Sequence, residues 1–160
     1  MLLEGSCHCG AVKFTVNSPT PAPYMRCYCT ICRKTAGGGG YAINLGGDAD
    51  SLNVEGREHI GIYQATLDGT QSPAQRNFCS KCATALWVWD PRWPELLHPF
   101  ASAIDTGLPE PPQTVHIMQA SLSNWVEPNI KDGDLVFDNY PEESIEQWHR
   151  RHGLLDPDNG

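Results

Sequence analysis

Seven cysteines carry most of the chemical potential of this sequence, and they are grouped rather than scattered. They fall into three clusters: CHC at Cys7 and Cys9, CYCTIC at Cys27, Cys29 and Cys32, and CSKC at Cys79 and Cys82. Each spacing has a geometric use. In an extended segment residues i and i+2 share a face, so both thiolates of a C-x-C reach one ion; a C-x-x-C curls its two sulfurs together in a tight knuckle. Zinc takes four ligands in a tetrahedron, with thiolate bonds of about 2.3 Å. Seven thiols therefore divide naturally into four, which close a structural site, and three, which leave one coordination position open. Arithmetic does not choose the combination. A zinc ribbon built from Cys29, Cys32, Cys79 and Cys82 is equally allowed, and so is a purely structural use of all seven with a histidine as eighth ligand. His8, His98 and His116 are the histidines that could approach a metal, and none sits at a ligand spacing.

Disulfides are the competing use of cysteine. The opening MLLEGSCHCG has no charged segment followed by a long apolar one, and no stretch reaches the roughly 18 apolar residues of a membrane span. The expectation is a cytoplasmic chain without a membrane segment, where thiols stay reduced and an odd number cannot pair off internally. The formal charge of -8 argues against nucleic acid, which is bound largely by Lys and Arg on phosphates. That charge is uneven. No acid stands between Gly5 and Gly47, which holds Lys13, Arg26, Arg33 and Lys34, whereas Ala83 onward carries thirteen acids against four bases. Five of the eleven basic residues (Arg26, Arg33, Lys34, Arg76 and Lys81) lie within three positions of a cysteine. There they can offset thiolate charge, lower thiol pKa values, or steer an anionic substrate.

The elements that must position these thiols read as short strands. GAVKFTV alternates apolar and polar side chains, and HIGIYQATL, TALWVW and TVHIMQASL are rich in β-branched and aromatic residues. PEESIEQWHRRHG predicts one helix near the C-terminus, with Pro141 in its first turn, acids at its start, bases at its end, Gly153 as terminator, and Ile145 and Trp148 packed on the sheet. HPFASAIDTGLPEPPQ reads as a connecting loop before a strand at Val115. The glycines Gly37–Gly40 lack the spacing of a P-loop and read as a permissive turn. Tyr28, Tyr41, Trp87 and Trp89 are expected to pack a small core more than to wall a pocket. The fold class predicted is mainly β, an antiparallel-sheet arrangement with short helices. The 160 residues suit a single domain over 1–155, with 156–160 as a frayed tail.

In this order and at these separations, GSCHCGAVKF, CYCTICRKTAG and FCSKCATALW resemble the glutathione-dependent formaldehyde-activating enzyme family, which also contains the centromere protein V domain. The resemblance runs from about Leu3 to Trp89, and HPFASAIDT and WHRRHGL are similar to one of its bacterial subgroups. It implies that Cys7, Cys9, Cys79 and Cys82 hold a structural zinc, giving a small zinc-stapled domain, and that Cys27, Cys29 and Cys32 hold a catalytic zinc. It further implies glutathione as co-substrate, with a small-molecule thiol and aldehyde as partners. The implied chemistry adds glutathione's thiol to formaldehyde and is classed in reverse as a carbon–sulfur lyase reaction. Arg33 and Lys34 are then placed to balance thiolate charge or to hold a glutathione carboxylate. Two positions depart from the family's pattern: Tyr28 stands where a histidine is frequent, and Ala83 where a glycine is usual. Neither removes a ligand. The alternative from another class is a non-catalytic zinc-stabilised binding module. A thiol redox enzyme would need a reactive cysteine after Cys82, and none follows.

Overall fold

Alternation of apolar and polar side chains builds the first sheet. Leu2–Ser6 pairs antiparallel with Lys13–Asn17, which pairs antiparallel with Asn53–Glu55. Leu3, Phe14, Val16 and Val54 point inward while Lys13 and Asn53 face solvent, the period of two that a half-buried sheet requires. Gly5 also faces inward. A Cβ there would stand 2.4 Å from the Phe14 ring, so only glycine permits the approach. The computed structural model describes residues 1–154; the tail expected at 156–160 lies outside the described residues.

The second sheet runs Gly47–Asp48, Leu96–Pro99, Ala85–Trp89, Gln75–Cys79, Ile60–Tyr63, antiparallel throughout. Its central strand carries the apolar run read from TALWVW, with Leu86, Trp87 and Val88 all buried. HIGIYQATL is not one strand. It breaks after Tyr63, and Thr66–Leu67 folds back on Thr70–Gln71 because Asp68 and Gly69 both take positive φ, 49° and 79°, in a tight hairpin turn. The connection expected from HPFASAIDTGLPEPPQ likewise begins inside the sheet, since Leu96–Pro99 pairs with Ala85–Trp89 before the chain leaves through a short 3-10 turn at Ala101–Ala103.

The third sheet runs Leu135–Val136, Thr114–Ile117, Tyr24–Cys27, Ala42–Asn44. Its first two pairings are parallel and its last antiparallel. Parallel neighbours need a long crossover, here from Cys27 to Thr114, and no local turn signal announces one. Helix α1 (Thr30–Ala36) follows directly on the strand Tyr24–Cys27, and helix α2 (Ile145–Arg151) packs near the chain's end. Helix α2 begins four residues later than Pro141. Ser144 caps it, its hydroxyl accepting from the Gln147 N–H while the Gln147 side chain accepts from the Ser144 N–H. Glu143 is left outside the helix and pairs with Arg151 at 2.9 Å. Trp148 is buried against Val115 and Ile117, as its place in the helix predicts.

Two cores result, and each takes in one end of the cysteine chemistry. Leu3, Phe14, Val16, Leu86, Trp87 and Leu97 pack with Cys7 and Cys79. Val88, Phe100, Val115, Ile117 and Trp148 pack with Cys27 and Cys32. Phe14 and Trp87 meet edge to face with centroids 5.0 Å apart, so Trp87 belongs to the core rather than to a pocket wall.

Candidate metal centres

Two chain reversals from different sheets meet to form the first sulfur group. Cys7 follows directly on the strand Leu2–Ser6, and the chain turns at once: the Gly10 N–H donates to the Cys7 carbonyl at 2.9 Å, with Gly10 at φ 73°. The Val12 N–H then donates to Cys7 Sγ at 3.2 Å. The second reversal repeats this plan. Cys79 ends the strand Gln75–Cys79, and the Ala83 N–H donates to the Cys79 carbonyl at 2.7 Å. Ala83 sits in the left-handed region at φ 59°, which explains why glycine suits this position and shows that alanine occupies it under strain. The His8 N–H donates to Thr84 Oγ1 at 3.1 Å and ties the two turns together.

The sulfurs of Cys7, Cys9, Cys79 and Cys82 all lie within 4.8 Å of one another. Those of Cys7 and Cys9 are 3.6 Å apart, and those of Cys9 and Cys79 are 3.8 Å apart. A tetrahedron with metal–sulfur bonds of about 2.3 Å has edges of about 3.8 Å, and these two separations match such edges. They are far beyond the roughly 2.05 Å of a disulfide. Thr84 reinforces thiolate character at one corner: its hydroxyl, 3.2 Å from Cys82 Sγ, and its backbone N–H push that thiol down to about 5.

The second group is local. Cys27 ends its strand, Cys29 is the N-cap of α1, and Cys32 lies in the first turn, where its N–H donates to Cys29 Sγ at 3.3 Å. The three sulfurs lie within 4.8 Å of one another. Cys27 and Cys32 are buried and Cys29 is half-buried, the least enclosed of the three. Three such sulfurs cannot all carry charge unaided. Hydrogen bonds from Cys27 and Cys32 push the Cys29 thiol down, while the same contacts push Cys27 up. Three sulfurs this close are a donor set that could hold a metal ion. Arg76 approaches them from the neighbouring sheet, its Nη1 donating toward Cys32 Sγ at 3.6 Å. Arg76 stands three residues before Cys79 in sequence and yet serves the other cluster, a contact that local spacing conceals.

The grouping of Cys7 and Cys9 with Cys79 and Cys82 leaves no ribbon of Cys29, Cys32, Cys79 and Cys82. Among the described residues neither group includes a histidine. His98 is turned to the Leu45 carbonyl at 3.1 Å, and burial pushes its pKa down. His116 is fully buried between Tyr28 and Asp134. Arg33 and Lys34 occupy the second turn of α1, with Lys34 exposed and Arg33 half-buried, and neither pairs with a carboxylate among the described residues. The four glycines form a tight turn in which the Gly40 N–H donates to the Gly37 carbonyl at 2.9 Å; Gly40 is at φ 97° and backs onto Val126.

A cleft of about 330 Å³ opens beside the three-thiol group, with Thr35 of α1, Arg76, Phe78, Ala85 and Phe100 among its walls. Of the aromatics considered from sequence none lines it; Tyr63 does instead. The cleft is mostly apolar with a single guanidinium in its wall, that of Arg76, which also reaches Cys32 Sγ.

Comparison with known proteins bears on what these centres are. A protein of Halomonas elongata described as "Putative glutathione-dependent formaldehyde-activating enzyme" is 66% identical over 154 residues, covering 96% of this chain and 98% of that one. A crystal structure of a Rhodobacter sphaeroides protein matches with a TM-score of 0.50 at 24% identity, over 84% of this chain and 98% of that chain, which is a likeness of fold. Residues 2–121 match the family model described as "Glutathione-dependent formaldehyde-activating enzyme". That span holds both sulfur groups, and this chain belongs to the glutathione-dependent formaldehyde-activating enzyme family.

Proposed function

We propose that this chain adds the thiol of glutathione to formaldehyde, a carbon–sulfur lyase reaction in reverse, with Zn²⁺ held in both sulfur groups. The observation that carries the reading is the incomplete group: three sulfurs within 4.8 Å, joined through Arg76, whose Nη1 lies 3.6 Å from Cys32 Sγ, to a cleft that Arg76 lines. A zinc ion held there supplies a cation that lowers the pKa of a thiol, about 8.5 when free, and a coordination position that three ligands leave open. Cys27, Cys29 and Cys32 hold that ion. In the reaction the carbon–sulfur bond forms as the carbonyl π pair moves to oxygen, and the thiol's proton ends on that oxygen. Arg76 offsets the thiolate charge, Arg33 and Lys34 attract the glutathione carboxylates, and the apolar walls at Phe78, Ala85 and Phe100 keep water from the reacting atoms. Cys7, Cys9, Cys79 and Cys82 hold the second ion as a staple between the first two sheets. We place the chain in the cytoplasm, where its thiols stay reduced, and its formal charge of -8 disfavours nucleic acid as a partner.

The test is formation of S-hydroxymethylglutathione from ¹³C-formaldehyde and glutathione, followed by NMR exchange against the spontaneous rate. Wild type should accelerate it, and Cys29→Ala should not, while retaining its fold and one zinc. Wild type carrying two zinc ions without acceleration would leave the non-catalytic binding module as the answer.

A further inference from the structure

Both sulfur groups contain a C-x-C, and the residue in the middle differs in a way that tracks the missing ligand. In Cys7-His8-Cys9 the middle side chain is exposed. Four cysteines from two turns close that group, so it needs no further anchor. In Cys27-Tyr28-Cys29 the middle residue is completely buried. Because neighbouring side chains of an extended segment point to opposite sides, Tyr28 runs into the third sheet while Cys27 and Cys29 face the sulfur group.

What holds Tyr28 is a chain of hydrogen bonds. The Asp134 carboxylate accepts from the Thr114 N–H at 3.0 Å, from the Lys131 N–H at 2.9 Å and from His116 Nε2 at 3.2 Å. With Nε2 as donor, His116 Nδ1 is left as acceptor, and the Tyr28 hydroxyl donates to it at 2.7 Å. The two rings lie nearly parallel, 7° apart. The backbone adds a further tie, from the Tyr28 N–H to the Ile117 carbonyl at 3.1 Å. Tyr28 is thereby fixed by its main chain and by its side chain to the strand Thr114–Ile117, and through Asp134 to the turn at Lys131.

We infer that Tyr28, His116 and Asp134 are positioning residues of the three-thiol centre: they hold Cys27 and Cys29 in register for a metal ion from behind, without adding a ligand. This rests on the reading that Cys27, Cys29 and Cys32 bind a metal. A site with only three protein ligands depends more on its support. Partners bonded directly to ligands are worth about 10- to 100-fold in metal affinity; Tyr28 acts one step further out, through the backbone that joins Cys27 to Cys29, and its share is smaller.

The experiment compares wild type, Tyr28→Phe, Asp134→Asn and the double variant, each isolated with zinc. Competition with a chelator of known affinity resolves the equivalents of zinc, and Co²⁺ added back to the first-emptied site reports its ligand geometry through the d–d bands. Tyr28→Phe removes one oxygen and leaves the ring in place. It should weaken one equivalent by up to about 10-fold, the lower end for partners bonded directly to a ligand, and shift its Co²⁺ bands, with the other equivalent unchanged. Asp134→Asn should act in the same direction, and the double variant should be no worse than the weaker single one, because the chain is already broken. A role confined to packing would instead lower the melting temperature with affinity and bands unmoved, and that result overturns the inference, as does equal weakening of both equivalents. Two wild-type equivalents, both insensitive to Tyr28→Phe, would refute this inference alone; one equivalent in wild type would refute the metal reading beneath it.

Discussion

Replacing Cys79 by Ser tests whether the four-thiol group is a staple. Cys9 and Cys79 stand 70 positions apart and bring their sulfurs to 3.8 Å. For a cross-link closing a loop of about 70 residues, the chain-entropy relation gives about 4 kcal/mol at 25 °C. Against a typical domain stability of about 5–15 kcal/mol, that is a large share. Cys27 and Cys32 close a loop of only six residues, for which the same relation gives about 2 kcal/mol. Helix α1 and the Cys32 N–H bond to Cys29 already fix much of that loop, so the real difference between the groups is larger. With roughly 2–4 °C per kcal/mol for a chain of this size, Cys79→Ser should lower the melting temperature by about 8–16 °C, and Cys29→Ala by less than half of that. Cys79 is fully buried, so the substitution also sets a hydroxyl against the first core and acts in the same direction. The assay is thermal and urea unfolding followed by tryptophan fluorescence, with zinc content measured on the same samples. Equal losses from the two variants, or an unchanged melt for Cys79→Ser, would refute the division into a staple and an open site.

Ala83→Gly should raise stability. It relieves about 1–2 kcal/mol of left-handed strain at φ 59° against about 0.5–1 kcal/mol of added chain entropy, a gain of about 1–3 °C in a thermal melt with zinc content unchanged. The double change Arg33→Gln with Lys34→Gln should weaken glutathione binding by roughly two- to tenfold at low salt and by less at high salt, as read by calorimetric titration. Loss of zinc before loss of glutathione affinity would assign these charges to the thiolates instead. At Asp134 burial pushes the pKa up, but hydrogen bonds from Lys131, Thr114 and His116 outweigh it and hold the carboxyl below its ordinary value. A depressed folded-state pKa gives stability that is complete above the unfolded value of about 3.9 and is lost as pH falls through the folded one. The gap in urea midpoint between wild type and the Asp134→Asn variant should therefore be full above about pH 4 and narrow progressively as pH falls below it, and a gap that stays constant down to about pH 2 would count against the carboxylate's charge.

The strands legible in the sequence are those whose side chains show their environment. GAVKFTV alternates because one face is buried, and TALWVW does not because Leu86, Trp87 and Val88 all are. Tyr24–Cys27 gave no such signal, since all but Cys27 are half-buried in a strand bordered on one side by a parallel neighbour. The Asp68-Gly69 pair has the residue types of a tight turn, but the apolar run around it masks the break. Helix α2 was legible in composition and misjudged at its start, where the Ser144–Gln147 box outranks the charges before it.

The two sulfur groups show why ligands are easier to read than what supports them. Spacing brings Cys27, Cys29 and Cys32 together because a C-x-C followed by a helix turn does so locally. The join of Cys7 and Cys9 to Cys79 and Cys82 depends instead on the first and second sheets packing around one core, and spacing alone allowed the ribbon just as well. Supporting residues carry no spacing at all. Arg76 reaches Cys32 across 44 positions, His116 reaches Tyr28 across 88, and nothing near Asp134 marks it as the carboxylate that orients His116. The one local trace is the middle residue of each C-x-C. A polar His8 there is free to face solvent, whereas a large aromatic with a hydroxyl, such as Tyr28, must find both an apolar enclosure and a hydrogen-bond partner once it is buried. Sequence can thus announce that such a partner exists, and only the fold can name it.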